Sequence, residues 1–514
     1  MFFGWKKKNS RHLAKENDYP PNELLDTIEA NIKQLNELMG TPIDFVSRYI
    51  SIAGTDQKCG LVFLDDFCNK EIVNEHVIKC ILSNEDKTIP SGKALLEYLK
   101  LKVIAVTKVE HAKNIDELFL SLLGGDTLLF VDGVKEALVL NTPSISEGRA
   151  IQEPVTEPLI RGPRDGFTES IRVNSMLIRN RVHDYNLRIE TYNTGRRAKK
   201  KLMLFYINGI IHPELLKEVR RRLETLDIDD ALESGIIEQW IEDSFLSPFP
   251  QVTSTERPDK VTAALLNGQF VILLDGTPFA LIAPITITNT LHSPEDYYER
   301  WLTGTLLRLL RYGAAMLTVF LPAAYIALVS FHPGMIPSHL AFSMASTREG
   351  VPFPSMLEAI LMETTMELLR EAGVRLPKPI GQTIGIVGGL VIGEAAVAAG
   401  IVSPIMVIVV AITAISSFSL PYYGLAISFR VLRFSTMLAA GMFGLYGIIL
   451  VFILICIHLA NLQSFGIPYT APIAPTFFGD WKEAVIRAPI TMLGKRYKYL
   501  QPRDRQRLSK KRGN

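Results

Sequence analysis

The chain has 514 residues, 48% of them hydrophobic and 21% charged, with 55 basic against 53 acidic side chains. That length exceeds one soluble domain, and the aromatic content, the missing glycine period and the lack of sustained heptads exclude disordered, collagen-like and coiled-coil chains. A net charge of +2 is too near neutral to imply nucleic acid, and four cysteines without a CxxC pair exclude a disulfide scaffold.

Residues 1–30 read as a basic N-terminal tail with Lys6, Lys7, Lys8 and Arg11 but no apolar stretch of signal-peptide length behind them. Two α/β units are expected next, over residues 31–145 and 155–300. Leu128–Leu140 (LLFVDGVKEALVL) and Val271–Ala283 (VILLDGTPFALIA) are each two apolar strands around an Asp-Gly turn. Their offset of 143 residues also pairs the strand Val62–Leu64 with Phe205–Ile207, and the helical pattern Lys70–Cys80 with Pro213–Leu223. One offset joining a strand, a helix and a hairpin suggests a repeat; two unrelated units with similar hairpins would also fit. The turn-rich segment Asn141–Pro154 would join them.

The apolar residues concentrate after position 300. Tyr312–Phe331 is the first charge-free run long enough for a bilayer, at ~1.5 Å per residue against ~30 Å of hydrocarbon. Pro379–Gly393, Ala395–Phe429 and Phe434–Ile457 follow, so residues 301–475 read as a membrane domain of four to six helices. Residues 476–514 read as a basic cytoplasmic tail, with nine Lys or Arg and one acid from Lys495 onward. A large leading domain without an export signal, together with that tail, places both ends in the cytoplasm and makes the crossing number even. The fold class expected is an α/β cytoplasmic domain of two related subdomains followed by an α-helical multi-pass membrane domain.

Within the membrane part, Gly381, Gly385, Gly389 and Gly393 recur at i, i+4 and form one helix face along which another helix can approach closely, in this chain or a neighbouring subunit. Glu394 follows, either marking a helix end at the interface or serving a function. Ser355–Ala372 has prolines before it and Gly373 after it. At ~100° per residue, Glu363, Glu367 and Arg370 share a stripe with Met356, Ala359 and Met366, while Leu357, Leu361, Thr364 and Leu368 form another face. Such a helix lies on the bilayer surface or lines a water-filled path.

Signals for an enzyme are poor. There is no HExxH, neither Gly92-Lys93 nor Gly494-Lys495 completes a phosphate-binding loop, and the nine histidines are scattered, so no catalytic residue, metal or cofactor is expected. Arg161, Arg164, Asp165 and Glu169 in RGPRDGFTE form either an internal ion-pair loop or a contact with a neighbouring subunit.

Several blocks carry a resemblance: Gln152-Glu153-Pro154, Arg161–Glu169, Ser247–Gln251, Thr255–Val261, Ser293–Arg300, Val351–Pro354, Glu367–Pro377, Gly381–Gly393 and Phe465–Tyr469. Over residues 150–475 the chain resembles the A-subunit family of GerA-type spore germination receptors. The resemblance implies one subunit of a nutrient receptor in the inner membrane of endospores. Its implied partners are a transporter-like B subunit that holds the germinant and a lipoprotein C subunit. It also implies assembly as a homo-oligomeric, ligand-gated cation channel, in which Glu363, Thr364, Glu367 and Arg370 would line the ion path. An A-like paralogue acting with the spore dipicolinate channel shares much of the pattern. A solute transporter subunit would need a second, inverted copy of the Gly ladder, and none is found. A membrane-tethered scaffold would leave the Glu stripe without purpose.

Overall fold

The structure is a computed structural model that describes residues 23–42, 44–52, 57–65, 67–83, 90–143, 153–376, 389 and 391–508. The first α/β unit contains strands β1 (Phe45–Ser51), β2 (Lys58–Leu64), β3 (Val109–Ala112), β4 (Thr127–Val131) and β5 (Ala137–Leu140). They form one antiparallel sheet in the order β1-β2-β4-β5-β3. The second contains β6 (Leu187–Thr194), β7 (Lys200–Ile207), β8 (Thr253–Thr255), β9 (Phe270–Leu274) and β10 (Ala280–Ala283), in the corresponding order β6-β7-β9-β10-β8.

Because side chains alternate along a strand, each sheet offers two apolar faces, and helices cover both. In the first unit α1 (Ile28–Met39) and α4 (Ile115–Leu123) pack on Val62, Leu64, Leu128 and Phe130. The helices over 70–82 (α2) and 93–103 (α3) pack on Leu61, Leu129 and Leu138. The second unit repeats this with α5 (Ile171–Arg179) and α8 (Pro258–Asn267) on one face, and α6 (Pro213–Glu224) and α7 (Ser234–Ile241) on the other.

The repeat extends to single hydrogen bonds. Asp132 Oδ1 accepts from Ile28 N (3.1 Å), and Asp275 Oδ1 from Ile171 N (3.2 Å), so the acid of each Asp-Gly turn closes the start of the first helix of its unit. Asn31 brackets Leu25, and Asn174 brackets Thr168, each through one bond to the backbone N–H and one from its amide to the carbonyl. Each member of these pairs stands 143 positions from the other. The first unit also starts earlier than residue 31, since Leu24 and Ile28 are buried in its core.

After the second sheet come α9 (Trp301–Ser330), α10 (Ser338–Arg348), α11 (Ser355–Arg375), α12 (Pro404–Phe418) and α13 (Tyr423–Asn461). Among the described residues, α9 and α13 are long and apolar enough to cross a membrane by length and composition. The apolar run Phe434–Ile457 is not one straight span. Gly444 has φ 61° and ψ −139°, a backbone conformation that a β-carbon disfavours, and α13 folds back there. The ring of Phe249 lies 6.1 Å from Phe429 and 5.9 Å from His458, residues that roughly 43 Å of continuous helix would separate. The arms 423–443 and 445–461 are therefore antiparallel. Exposed Leu309, Met316, Ile408, Ile415, Met442 and Leu454 give the helices an apolar outer surface.

The C-terminal segment is not a free tail. Arg503 N and Asp504 N donate to the carbonyls of Ile210 and Gly209, while Tyr497, Tyr499 and Leu500 are buried. Its basic residues read as solvated charge in sequence because their partners are remote: Arg507 pairs with Glu483 (3.0 Å), and Arg496 donates to the Leu266 carbonyl (2.6 Å).

Candidate functional site

Helix α11 runs antiparallel to the first arm of α13. At its start Met356 lies so close to Gly441 that a β-carbon there would clash with the Met356 sulfur. The glycine allows the approach, and the approach brings the charged stripes together near the middle of α11. Glu363 pairs with Arg433 (3.1 Å), and both side chains are 1% exposed. Glu367 accepts from Arg433 (2.7 Å), Arg430 (3.1 Å) and Arg370 (3.1 Å). Two carboxylates thus meet three guanidiniums, leaving one net positive charge. Among the described residues the Glu363 Oε1 and the Nε of Arg370, Arg430 and Arg433 have no hydrogen-bond partner. The guanidinium of Arg370 also lies over Phe418 (4.8 Å), and that of Arg430 over Tyr423 (5.5 Å).

A second buried carboxylate stands one end-turn earlier. Glu358 Oε1 accepts from Ser403 N and Oγ, both at 2.6 Å, capping the start of α12, and Arg348 lies 3.5 Å away. Tyr325 of α9 shares the Ser403 hydroxyl (3.0 Å). One acid therefore ties α9, α10, α11 and α12 together.

Glu363, Glu367 and Arg370 are gathered as the stripe predicts, but Thr364 is not with them. It lies a further ~100° round the helix, on the exposed face with Leu357, Leu361 and Leu368. The acids do not line an open path in this arrangement: arginines close over them. Sequence reasoning missed Arg430 and Arg433, which interrupt two otherwise charge-free runs. That interruption was the available signal, since a charge inside an apolar helix needs a partner.

Of the glycine ladder, Gly381 and Gly385 lie outside the described residues. A β-carbon at Gly393 would meet Val407 of α12 at 3.4 Å, whereas one at Gly389 would meet nothing within 4 Å among the described residues. Glu394 is exposed. Around the linker, Asp165 pairs internally with Arg181 (2.6 Å), while Arg161, Arg164 and Glu169 are exposed. The linker is fastened by Glu256, which accepts from Val155 N (2.7 Å), and by Arg257, which donates to the Pro163 carbonyl (2.8 Å).

The Ser293–Arg300 block forms the junction with the helices. Asp296, wholly buried, pairs with Arg308 (2.8 Å) and Arg311 (2.8 Å) of α9. Arg308 also donates to the Glu483 carbonyl, and Tyr297 donates to the Glu483 carboxylate (2.9 Å). His292 Nε2 donates to the Ala484 carbonyl (2.7 Å); burial, then the neighbouring Arg308 charge, hold its ring well below the ordinary imidazole pKa. Among the described residues no group of His, Cys, Asp and Glu is arranged to hold a metal ion.

A family model described as Bacillus/Clostridium GerA spore germination protein matches residues 33–499. The chain is 49% identical over 473 residues to spore germination protein GerLA of Bacillus cereus, covering 92% of this chain and 95% of that protein. It is 41% identical over 481 residues to spore germination protein B1 of Bacillus subtilis (strain 168), covering 93% and 98%. A crystal structure of the N-terminal domain of the A subunit of the Bacillus megaterium spore germinant receptor GerK3 covers 52% of this chain and 98% of that one, at 31% identity and TM-score 0.41.

Proposed function

The chain belongs to the GerA spore germination protein family of A-type receptor subunits, and from that premise we propose that it is a non-enzymatic, membrane-embedded subunit of a nutrient-germinant receptor that passes cations when assembled as an oligomer. The observation that carries this reading is the acid–arginine cluster between α11 and α13. Charged side chains among lipid-length helices are costly unless paired or wetted, and they mark ion pathways more often than packing. In the described arrangement Arg430 and Arg433 neutralise Glu363 and Glu367. Sliding α11 against the first arm of α13 would release the two carboxylates, and oligomeric symmetry would repeat them round a central path selective for cations.

The setting follows from the same reading. The helices lie in the inner membrane of the spore, the α/β half and the C-terminal segment face the cytoplasm, and B- and C-type subunits complete the receptor. The order α9, α11, the chain through 391–398, α12 and the two arms of α13 supports six passes, an even number. Cation flux through liposomes holding the purified oligomer tests the proposal. Replacing Glu363 and Glu367 together by Gln should change conductance or selectivity, read per assembled oligomer because the arginines left without counter-ions lower its stability. Unaltered flux in that double variant would remove the cluster from the ion path.

A further inference from the structure

Where the second α/β unit meets the helices there is a cavity of about 250 Å³. It is walled by α8 and Gln269 just after it, Thr253 and Ile282 of the sheet, the connection from Ile285 to Tyr298, and Tyr497 of the C-terminal segment. It is not a by-product of the repeated fold. At the positions of the first unit matching Lys260, Ala263 and Asn267 stand Glu117, Leu120 and Gly124, all exposed, whereas Lys260 is half-buried and Asn267 buried and only Ala263 stays exposed. In the second unit the connection to α9 and the C-terminal segment lie beside this helix, and a half-open pocket is left between them, with Ala263 exposed at its mouth.

The polar groups round that space have open hydrogen-bonding capacity. Gln269, 5% exposed, spends its amide on the Pro284 carbonyl (2.7 Å) and keeps Oε1 as a free acceptor. Asn267, 8% exposed, has its oxygen engaged by Arg507, and Asn289 has its oxygen engaged by Tyr499 (3.0 Å) and Thr286 (3.2 Å). Both keep amide donors. The neutral His292 ring, donating through Nε2, keeps a lone pair at Nδ1. Charge, by contrast, is already spent. Asp259 is held by Arg257 (2.9 Å) and Tyr298, and Lys260 by Glu157 (2.7 Å). The hydroxyls of Tyr297 and Tyr298 point to carboxylates, so these residues offer ring faces instead.

We propose that this junction cavity is a binding site for a small uncharged polyhydroxylated molecule of monosaccharide or cyclitol size. Such a ligand supplies hydroxyls that both donate and accept, matching two amide donors and two acceptors, and C–H faces that lie against tyrosine rings. A charged ligand would find no free counter-charge among the described lining residues, and the part of it lying against the buried wall would lose hydration without compensation. Its occupancy bears directly on the first long helix, because the Tyr297 ring lies 5.3 Å from the guanidinium of Arg308 in α9. The site stands whether or not the chain conducts ions.

The test is equilibrium binding of D-glucose and myo-inositol to the full chain in lipid nanodiscs, with glucose 6-phosphate as the charged comparator. We expect saturable binding of at least one neutral probe in the millimolar range or tighter, and none of the phosphate. Ala263→Phe, which places a ring at the mouth of the pocket, and Gln269→Leu, which removes its free acceptor, should each weaken it about tenfold or more. Leu120→Phe on the bare counterpart face should change nothing. Absence of saturable neutral binding, full binding in Ala263→Phe, or preference for the phosphate would each overturn the assignment.

Discussion

The two α/β units share strand order, helix placement and even the hydrogen bonds that close their first helices, yet they differ in what covers them. On the outer face of the α4 region Glu117 and Gly124 are exposed, whereas their counterparts Lys260 and Asn267 are half-buried and buried. The α8 face is partly covered by the connection to α9 and by the C-terminal segment, and that junction is fixed by a buried ionic network around Asp296 and Glu483. A shared core therefore says little about role. What distinguishes the units is the layer added outside the repeat, and that layer holds a buried ionic network and is joined to the helices.

The sharpest way to break this contrast is to remove the anchor. Asp296→Ala leaves Arg308 and Arg311 as buried charges without a counter-ion, and should lower stability by about 3–5 kcal/mol. Its counterpart one repeat earlier, Glu153, is exposed, and Glu153→Ala should be neutral. Thermal unfolding of both variants in detergent reads the difference; equal effects would erase the asymmetry. A comparable loss, about 3 kcal/mol, should follow Arg433→Met in the helical half, where Glu363 would remain buried beside an apolar chain. Adding Glu363→Gln should restore part of it, and a double-mutant cycle with no coupling would deny the pair.

A smaller effect is expected from pH. In the second unit burial, then the charges of Glu242 and Glu233, push the Glu238 carboxyl from 4.5 up to about 8. The folded chain therefore holds a proton there that the unfolded chain has released. That contribution is fully present below about pH 4.5 and is lost as pH rises to about 8. Glu238→Gln should flatten the decline of stability across that window; an unchanged slope would mean the carboxyl ionises normally. Smallest, and a measure of likeness rather than difference, Asp132→Ala and Asp275→Ala should each cost about 1 kcal/mol, the usual worth of a side chain accepting from a first-turn N–H. Clearly unequal losses would mean that the shared geometry is not shared energetics.

Much of the repeat could be read from one local signal. Two Asp-Gly turns between apolar strands fixed the offset, and the strands and helices at that offset are the ones observed, because alternation and helical spacing are set by neighbours in sequence. The stripe of Glu363, Glu367 and Arg370 was legible for the same reason. Its partners were not: Arg430 and Arg433 lie over sixty positions away, and only the approach at Gly441 brings them within hydrogen-bonding distance. The reversal at Gly444 was hidden because an apolar run has no periodicity that distinguishes one long helix from two short ones.

What the sequence by itself determined, then, is the division into an α/β half and a helical half, the internal repeat, and which residues share a face, all consequences of short-range backbone geometry. What only the tertiary structure decided is which charges meet. A buried carboxylate or guanidinium is tolerable only beside its counter-ion, and the distance between them is set by the packing of remote segments. The C-terminal residues show this most plainly: as a string they are solvated basic charge, and in the fold Arg507 and Tyr497 complete the buried junction around Glu483.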